Sequence, residues 1–217
     1  MDWRLVFEKN LYHGTFQQMK ISVLTFDSFN ELDSFIALGI LNRVKKPGWK
    51  VSIASPTKTV TSMNGVTVHA QASLSDANTS DAVLFGSGMK TREIANDDSI
   101  MGQLKLNPAH QLIGAQCSGT YMLSKLGLLN SVPACTDLLS RPWVQEAGVE
   151  VLNQPFFAKG NVATAGGCLS AQYLATWVIA RLEGIEAARS ALHYVAPVGE
   201  KDIYTERGIA QVQAYLV

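Results

Sequence analysis

Short unbroken apolar runs alternate along the chain with stretches in which apolar residues recur every three or four positions. Ile21–Phe26, Trp49–Ala54 and Ala82–Phe85 have the length and continuity of strands buried on both faces. Between the first two, Leu32, Phe35, Ile36, Leu38 and Leu41 fall at helical spacing and stop before Lys46-Pro47-Gly48. Thr59–Met63 and Val66–Ala70 flank Asn64-Gly65, a dipeptide that suits the left-handed turn of a tight hairpin. Asp97 to Asn107 is predicted helical, ending before Pro108. Gln111–Ala115 predicts another buried strand, and Tyr121–Gly127 the helix that follows it. Val149–Leu152 and Val162–Ala165 predict two further strands. A long helix is expected from Ser170 to Leu182 on Tyr173, Leu174, Trp177, Val178 and Leu182, and a shorter one over Glu186–Tyr194. From Pro197 onward the pattern is mixed and predicts no element.

Strands alternating with helices imply a mostly parallel sheet covered on both faces. Reactive groups in such sheets gather at the carboxyl ends of the strands. Three of those ends carry suggestive loops: Asp27–Asp33, Gly86-Ser87-Gly88 and Gln116–Gly119. No repeat or interdomain linker interrupts the pattern, so residues 19–217 read as one domain. Met1 to Gln18 reads as an N-terminal extension or leader, without the basic-then-apolar order of a signal peptide. Its aromatic residues (Trp3, Phe7, Tyr12, Phe16) suggest that it packs on something.

Composition narrows the function classes. The 217 residues are 47% hydrophobic and 17% charged, with a formal net charge of zero and no basic cluster, so neither nucleic acid nor a membrane is expected as a partner. No run approaches the ~20 apolar residues of a membrane span. Cys117, Cys135 and Cys168 show no metal-type spacing, and His13, His69, His110 and His193 are scattered. Reduced thiols in a cytoplasmic protein, with no metal and no cofactor, is the simplest expectation.

Gln116-Cys117-Ser118-Gly119-Thr120 carries the strongest chemical signal. A buried strand runs into a helix with a cysteine at the sharp turn, flanked by the small Gly114, Ala115, Ser118 and Gly119 that such a turn requires. This is a nucleophile elbow with sulfur in place of serine oxygen. The first helical turn would favour the thiolate, whereas a neighbouring ionised carboxylate would oppose it. A buried, inert cysteine is the alternative reading.

Four segments together resemble the ThiJ/PfpI superfamily, which is related to class I glutamine amidotransferases; the closest likeness is to its isonitrile hydratase branch. They are Phe26-Asp27-Ser28-Phe29-Asn30-Glu31-Leu32-Asp33, Asp81 to Gly88, the elbow with Leu126-Gly127-Leu128-Leu129, and Gly160-Asn161-Val162-Ala163-Thr164-Ala165-Gly166-Gly167. The likeness runs from Met19 to Pro197. It implies a flavodoxin-like three-layer α/β/α sandwich with a mostly parallel sheet, and a homodimer.

Residue by residue, the resemblance makes Cys117 the nucleophile and Asp33 the acid that contacts the sulfur. Gly88 and Ser118 fall where the family stabilises an oxyanion, and Ser87 joins them as a substrate-binding position. The implied activity is hydration of an isonitrile to an N-substituted formamide, a small-molecule reaction that suits a protonated Asp33. The chain departs from the family at Ser118, where proteases place histidine. It departs again at Cys135-Thr136-Asp137, where the branch carries a histidine, and at Gly86-Ser87-Gly88 in place of a Pro-Gly-Gly turn. Protease activity is therefore not expected. A redox-responsive protein oxidised at Cys117, a glyoxalase or deglycase, and a binding module stay open as alternatives. Cys135, Cys168, Trp143 and Trp177 read as packing residues, and Asp137 as a surface loop residue.

Overall fold

The computed structural model describes residues 18–216; the expectation for the aromatic residues of the leader lies outside them. The first half contains β1 (Met19–Leu24), α1 (Glu31–Leu41), β2 (Trp49–Ser55), the hairpin strands β3 (Thr59–Thr61) and β4 (Thr67–His69), and β5 (Ala72–Ser73). It continues with β6 (Ala82–Phe85), α2 (Thr91–Ala95), α3 (Asp98–Met101), β7 (Leu112–Gln116), α4 (Gly119–Lys125) and α5 (Arg141–Glu146). The chain ends with β8 (Phe156–Lys159), β9 (Val162–Ala165), α6 (Ala171–Glu183), α7 (Ile185–Val195) and α8 (Lys201–Val212).

Seven strands form one sheet in the order β5-β2-β1-β6-β7-β9-β8, parallel except for β8. The central strands β6 and β7 are buried along their whole length, which explains their unbroken apolar runs. On one face Ile21, Val23 and Leu84 pack under Leu41, Leu174, Trp177, Val178 and Leu192. On the other, Val83, Phe85, Ile113 and Ala115 pack under Ile94, Met122, Leu123 and Val144. The result is the expected flavodoxin-like α/β/α sandwich. Among the described residues no helix is long and apolar enough to cross a membrane.

Several elements differ from expectation for identifiable reasons. Val149–Leu152 forms only a bridge between Val151 and Ala134. The edge strand is instead β8, folded back on β9 through Gly160-Asn161, with Lys159 opposite Val162 and Gly160 at φ +60°. Asp97–Asn107 is helical only over α3, which stops at Gly102. The tail after Pro197 holds α8, whose buried stripe is Thr205, Gly208, Ile209 and Val212. Two of those four residues are not apolar side chains, so hydropathy does not reveal the stripe. Helix α1 also turns differently from its apolar pattern. Leu32 is 51% exposed, while Asp33, Ser34, Ala37, Ile40 and Leu41 are buried. Asp33 thus occupies the inward face of the helix (positions 33, 37, 40 and 41).

Candidate functional site

Cys117 follows the last residue of β7 directly and adopts φ +49°, a left-handed conformation that is uncommon for a residue with a side chain. It costs on the order of 1 kcal/mol or more, and the surrounding contacts hold it in place. The Cys117 N–H donates to Ala165 O at 2.9 Å, and the Thr136 hydroxyl donates to Cys117 O at 2.8 Å. Gly119 explains the small residues of the elbow. A methyl group there would stand 2.6 Å from Gly86 O and 2.9 Å from Phe85 O, so a side chain would push α4 off β6.

Three further strand ends meet this turn. The segment after β1 is anchored by backbone bridges from Phe29 to Ser62 of the hairpin region and to Gly88 after β6. Asn30 caps α1 by accepting the Leu32 N–H at 3.1 Å, which frees Asp33 from a capping role. The Asp33 carboxyl, Cys117 Sγ and Cys168 Sγ lie within 4.8 Å of one another. The Ser87 hydroxyl donates to Asp33 Oδ2 at 2.5 Å, while Asp33 Oδ1 is buried without a hydrogen-bond partner. Asn30 Nδ2 donates to Cys168 Sγ at 3.3 Å, and Gln116 Nε2 stands 3.5 Å from Cys117 Sγ.

Burial raises the Asp33 carboxyl above the ordinary aspartate range, against the opposing pull of Ser87 and of the facing thiols. Burial and the adjacent Asp33 charge push the Cys117 thiol far above its usual value. The two shifts share an origin: a desolvated site disfavours any charge, and disfavours a second one more. Of the two opposing influences expected on the thiol, the carboxylate prevails, since desolvation and Asp33 outweigh the short helix.

Ser118 and Gly88 are close together, but they bond to each other. The Gly88 N–H donates to Ser118 Oγ at 3.3 Å, Ser118 Oγ lies 2.7 Å from Thr91 Oγ1, and Thr91 donates to Gly88 O at 2.8 Å. Because Thr91 spends its hydroxyl proton on Gly88, Ser118 must donate to Thr91. This closed ring ties the β6 loop, α2 and the elbow together, and Thr91 is a participant that the sequence reading passed over.

The cluster forms the base of a cavity of about 940 Å³, walled by Met63, Met89, Leu138, Leu139, Trp143 and Leu152 among others. Ser87, Gly88, Cys117, Ser118 and Cys168 all line it, and no histidine does among the described residues. Asp137 also lines it, but its Oδ1 accepts the Leu139 and Ser140 N–H groups, which makes it a turn-forming residue. Trp143 is a wall residue stacked under the Arg92 guanidinium at 5.2 Å, whereas Trp177 is fully buried core, as expected. Cys135 is also core: it is fully buried, with its thiol pushed up to about 12 by burial. Cys168 is not a packing residue. It faces Asp33 and Cys117 because β9 lies beside β7, with Gln116 opposite Ala165. The Gly166-Gly167 turn then places the next side chain beside the elbow. A methyl group at Gly166 would collide with the Thr136 carbonyl, and Gly167 takes φ +86°.

Solved structures with the same architecture include Schizosaccharomyces pombe DJ-1, at 17% identity and TM-score 0.71, covering 82% of this chain and 100% of that one. A cysteine-to-alanine mutant of a DJ-1 superfamily protein from Salmonella typhimurium is 22% identical with TM-score 0.71, covering 82% and 98%. A ThiJ/PfpI family protein from Pseudomonas syringae is 17% identical with TM-score 0.72, covering 89% and 90%. No curated protein matches the chain. Residues 19–181 match the DJ-1/PfpI family, and the chain belongs to that family.

Proposed function

We propose that the protein is a cysteine-dependent enzyme acting on a small, largely apolar electrophile, with an isonitrile as the substrate class and an N-substituted formamide as the product. The observation that supports this reading is the pairing of Cys117 with Asp33. The carboxyl is buried, which raises its affinity for a proton, one oxygen is unpartnered, and it stands beside the thiol under a largely apolar cavity. Asp33 takes the Cys117 proton as sulfur adds to the terminal isonitrile carbon, then delivers that proton to the same carbon, giving a thioimidate. Water adds to the thioimidate carbon, the C–S bond breaks, and the formamide leaves with the Cys117 thiol restored. No external oxidant, reductant or metal enters this balance. The largely apolar cavity wall suits a neutral substrate, and among the described residues no histidine lines it. This reading retains the homodimer expected from the resemblance and the reducing, cytoplasmic setting expected from the cysteine pattern.

The test is the initial rate of formamide production from a simple aryl isonitrile by the reduced protein and by Cys117→Ala. A fall of at least about 10³-fold in the variant supports the assignment, in line with loss of a nucleophile. Wild-type protein with a titratable, reduced Cys117 and no turnover would sink it.

A further inference from the structure

Beyond this reading, and independent of it, we infer that Cys168 is a resolving cysteine for Cys117, and that hydroperoxides convert the pair into an intramolecular disulfide at the base of the cavity. The inference rests on three positions. Cys117 Sγ, Cys168 Sγ and the Asp33 carboxyl lie within 4.8 Å of one another, and both thiols line the same cavity. Asp33 Oδ1 has no partner to give up when it handles a proton. Cys168 opens a single helical turn, Cys168–Ser170, directly after Gly167 at φ +86°, with Leu169 beside it 66% exposed. That short turn lies at the surface, so closing the remaining sulfur–sulfur gap displaces little packed structure. A disulfide needs the sulfurs near 2.0 Å, about 3 Å closer than the outer limit of the present separation. Cys135 has none of these features, being fully buried and outside the cavity lining.

The chemistry has two steps. Cys117 passes its proton to Asp33, and the thiolate attacks the distal peroxide oxygen. The O–O bond breaks, and the alkoxide or hydroxide takes the proton from Asp33 and leaves as alcohol or water, giving Cys117 sulfenic acid. Cys168 sulfur then attacks Cys117 sulfur; the S–O bond breaks, the S–S bond forms, and the departing hydroxyl takes the Cys168 proton and leaves as water. The sulfur pair loses two electrons and the peroxide gains them. A small thiol or dithiol reverses the disulfide by exchange. Trapping as disulfide competes with further oxidation to sulfinic acid, which thiols do not reverse.

The experiment treats the reduced full-length protein with about two equivalents of hydrogen peroxide, enough for either the disulfide or the sulfinate, then follows intact mass and tryptic peptides without reductant. Wild-type protein is expected to lose two hydrogen atoms, to yield a peptide pair joined through Cys117 and Cys168, and to recover fully with dithiothreitol. Cys135→Ser should do the same. Cys168→Ser should instead gain two oxygens at Cys117, with at least about ten-fold more sulfinate than wild type at equal dose and no recovery. The wild-type arm decides the matter even where a variant folds poorly. Sulfinate at Cys117 without a joined peptide in wild type overturns the inference, as does a cross-link to Cys135.

Discussion

Two glutamines bracket the elbow strand, and they are treated in opposite ways. Gln111 precedes β7 and Gln116 ends it; both are buried, at 5% and 1% exposure. At the amino end, Gln111 Nε2 donates to Ala77 O and Ser80 O at 2.9 and 2.7 Å, while its Oε1 accepts the Asn107 N–H at 2.9 Å. Every polar atom of that side chain has a partner. At the carboxyl end, Gln116 Nε2 donates to Gly167 O at 2.7 Å, and Oε1 is buried with none. Asp33 Oδ1, in the cluster with the Cys117 thiol that Gln116 Nε2 approaches, is in the same condition. One end of the strand is finished as structure, and the other is left with polar capacity that a ligand or a moving proton can use. Leaving such capacity unfilled is costly in a folded protein, so its concentration beside a cysteine at φ +49° sets the candidate site at this end of the sheet.

The largest effect that follows from the contrast belongs to the saturated end. Gln111→Leu removes three hydrogen bonds and leaves Ser80 O and the Asn107 N–H without their protein partners. A loss of about 2–4 kcal/mol in urea unfolding is expected. Turnover per folded molecule should hold, because no atom of Gln111 reaches the cavity. A loss below about 1 kcal/mol would mean that the three bonds are readily replaced by water, and the contrast between the two ends would fail.

The same contrast explains what could be read from the sequence. The elbow was legible because a buried strand, small residues and a helix around one cysteine leave few other arrangements. The parallel strands of the sheet core were legible from unbroken runs such as Ala82–Phe85. The partner of the elbow was harder. Asp33 came from a family likeness, since its own helix pattern pointed to Leu32 and Phe35 as inward residues, whereas burial falls on Asp33, Ala37 and Ile40. Cys168 could not be read at all, because its approach depends on β9 lying beside β7, and strand order is not written in local periodicity. The polar ring through Thr91 was hidden for the same reason: its members are 27 residues or more from Ser118 along the chain. Gly160-Asn161 was the one overlooked local signal, a two-residue hairpin loop that would have placed β8 correctly.

A smaller effect of opposite sign belongs to the unfinished end. Asp33→Asn keeps the shape and an acceptor for the Ser87 hydroxyl but removes the buried charge. The folded-state value of Asp33 is raised, so the native protein holds that proton more tightly than the unfolded chain. Its contribution to stability is therefore complete below the unfolded value of about 4 and is lost as pH rises from there through the raised folded value. Asp33→Asn escapes that loss. At neutral pH it should be more stable than wild type by about 1 kcal/mol, or about 2–4 °C in Tm at this length, while losing turnover. The gap in Tm should close as pH falls to about 4. Thermal scans of both proteins across that range check it, and a Tm difference independent of pH would show that Asp33 is not the group carrying the burial cost.

The smallest effect is the most discriminating, because it repeats the first substitution at the other end of the strand. Gln116→Leu removes the hydrogen bond to the carbonyl of the exposed Gly167, which water can then satisfy, and the longer one to Cys117 Sγ. It also removes the orphaned Oε1, whose burial gives nothing in return. These changes oppose each other, so unfolding should shift by less than about 1 kcal/mol, well below the loss at Gln111. What the substitution does take away is the Nε2 donor 3.5 Å from Cys117 Sγ, the amide best placed to meet negative charge on that sulfur. The rate of Cys117 alkylation should fall by a few-fold, and by the same factor at every accessible pH, since a lost donor raises further a thiol pKa that already lies far above its usual value. A Gln116→Leu protein as unstable as Gln111→Leu would mean that Oε1 is structurally satisfied after all. One equally stable and equally reactive would mean that Gln116 serves the Gly166-Gly167 turn and leaves the sulfur to Asp33 alone.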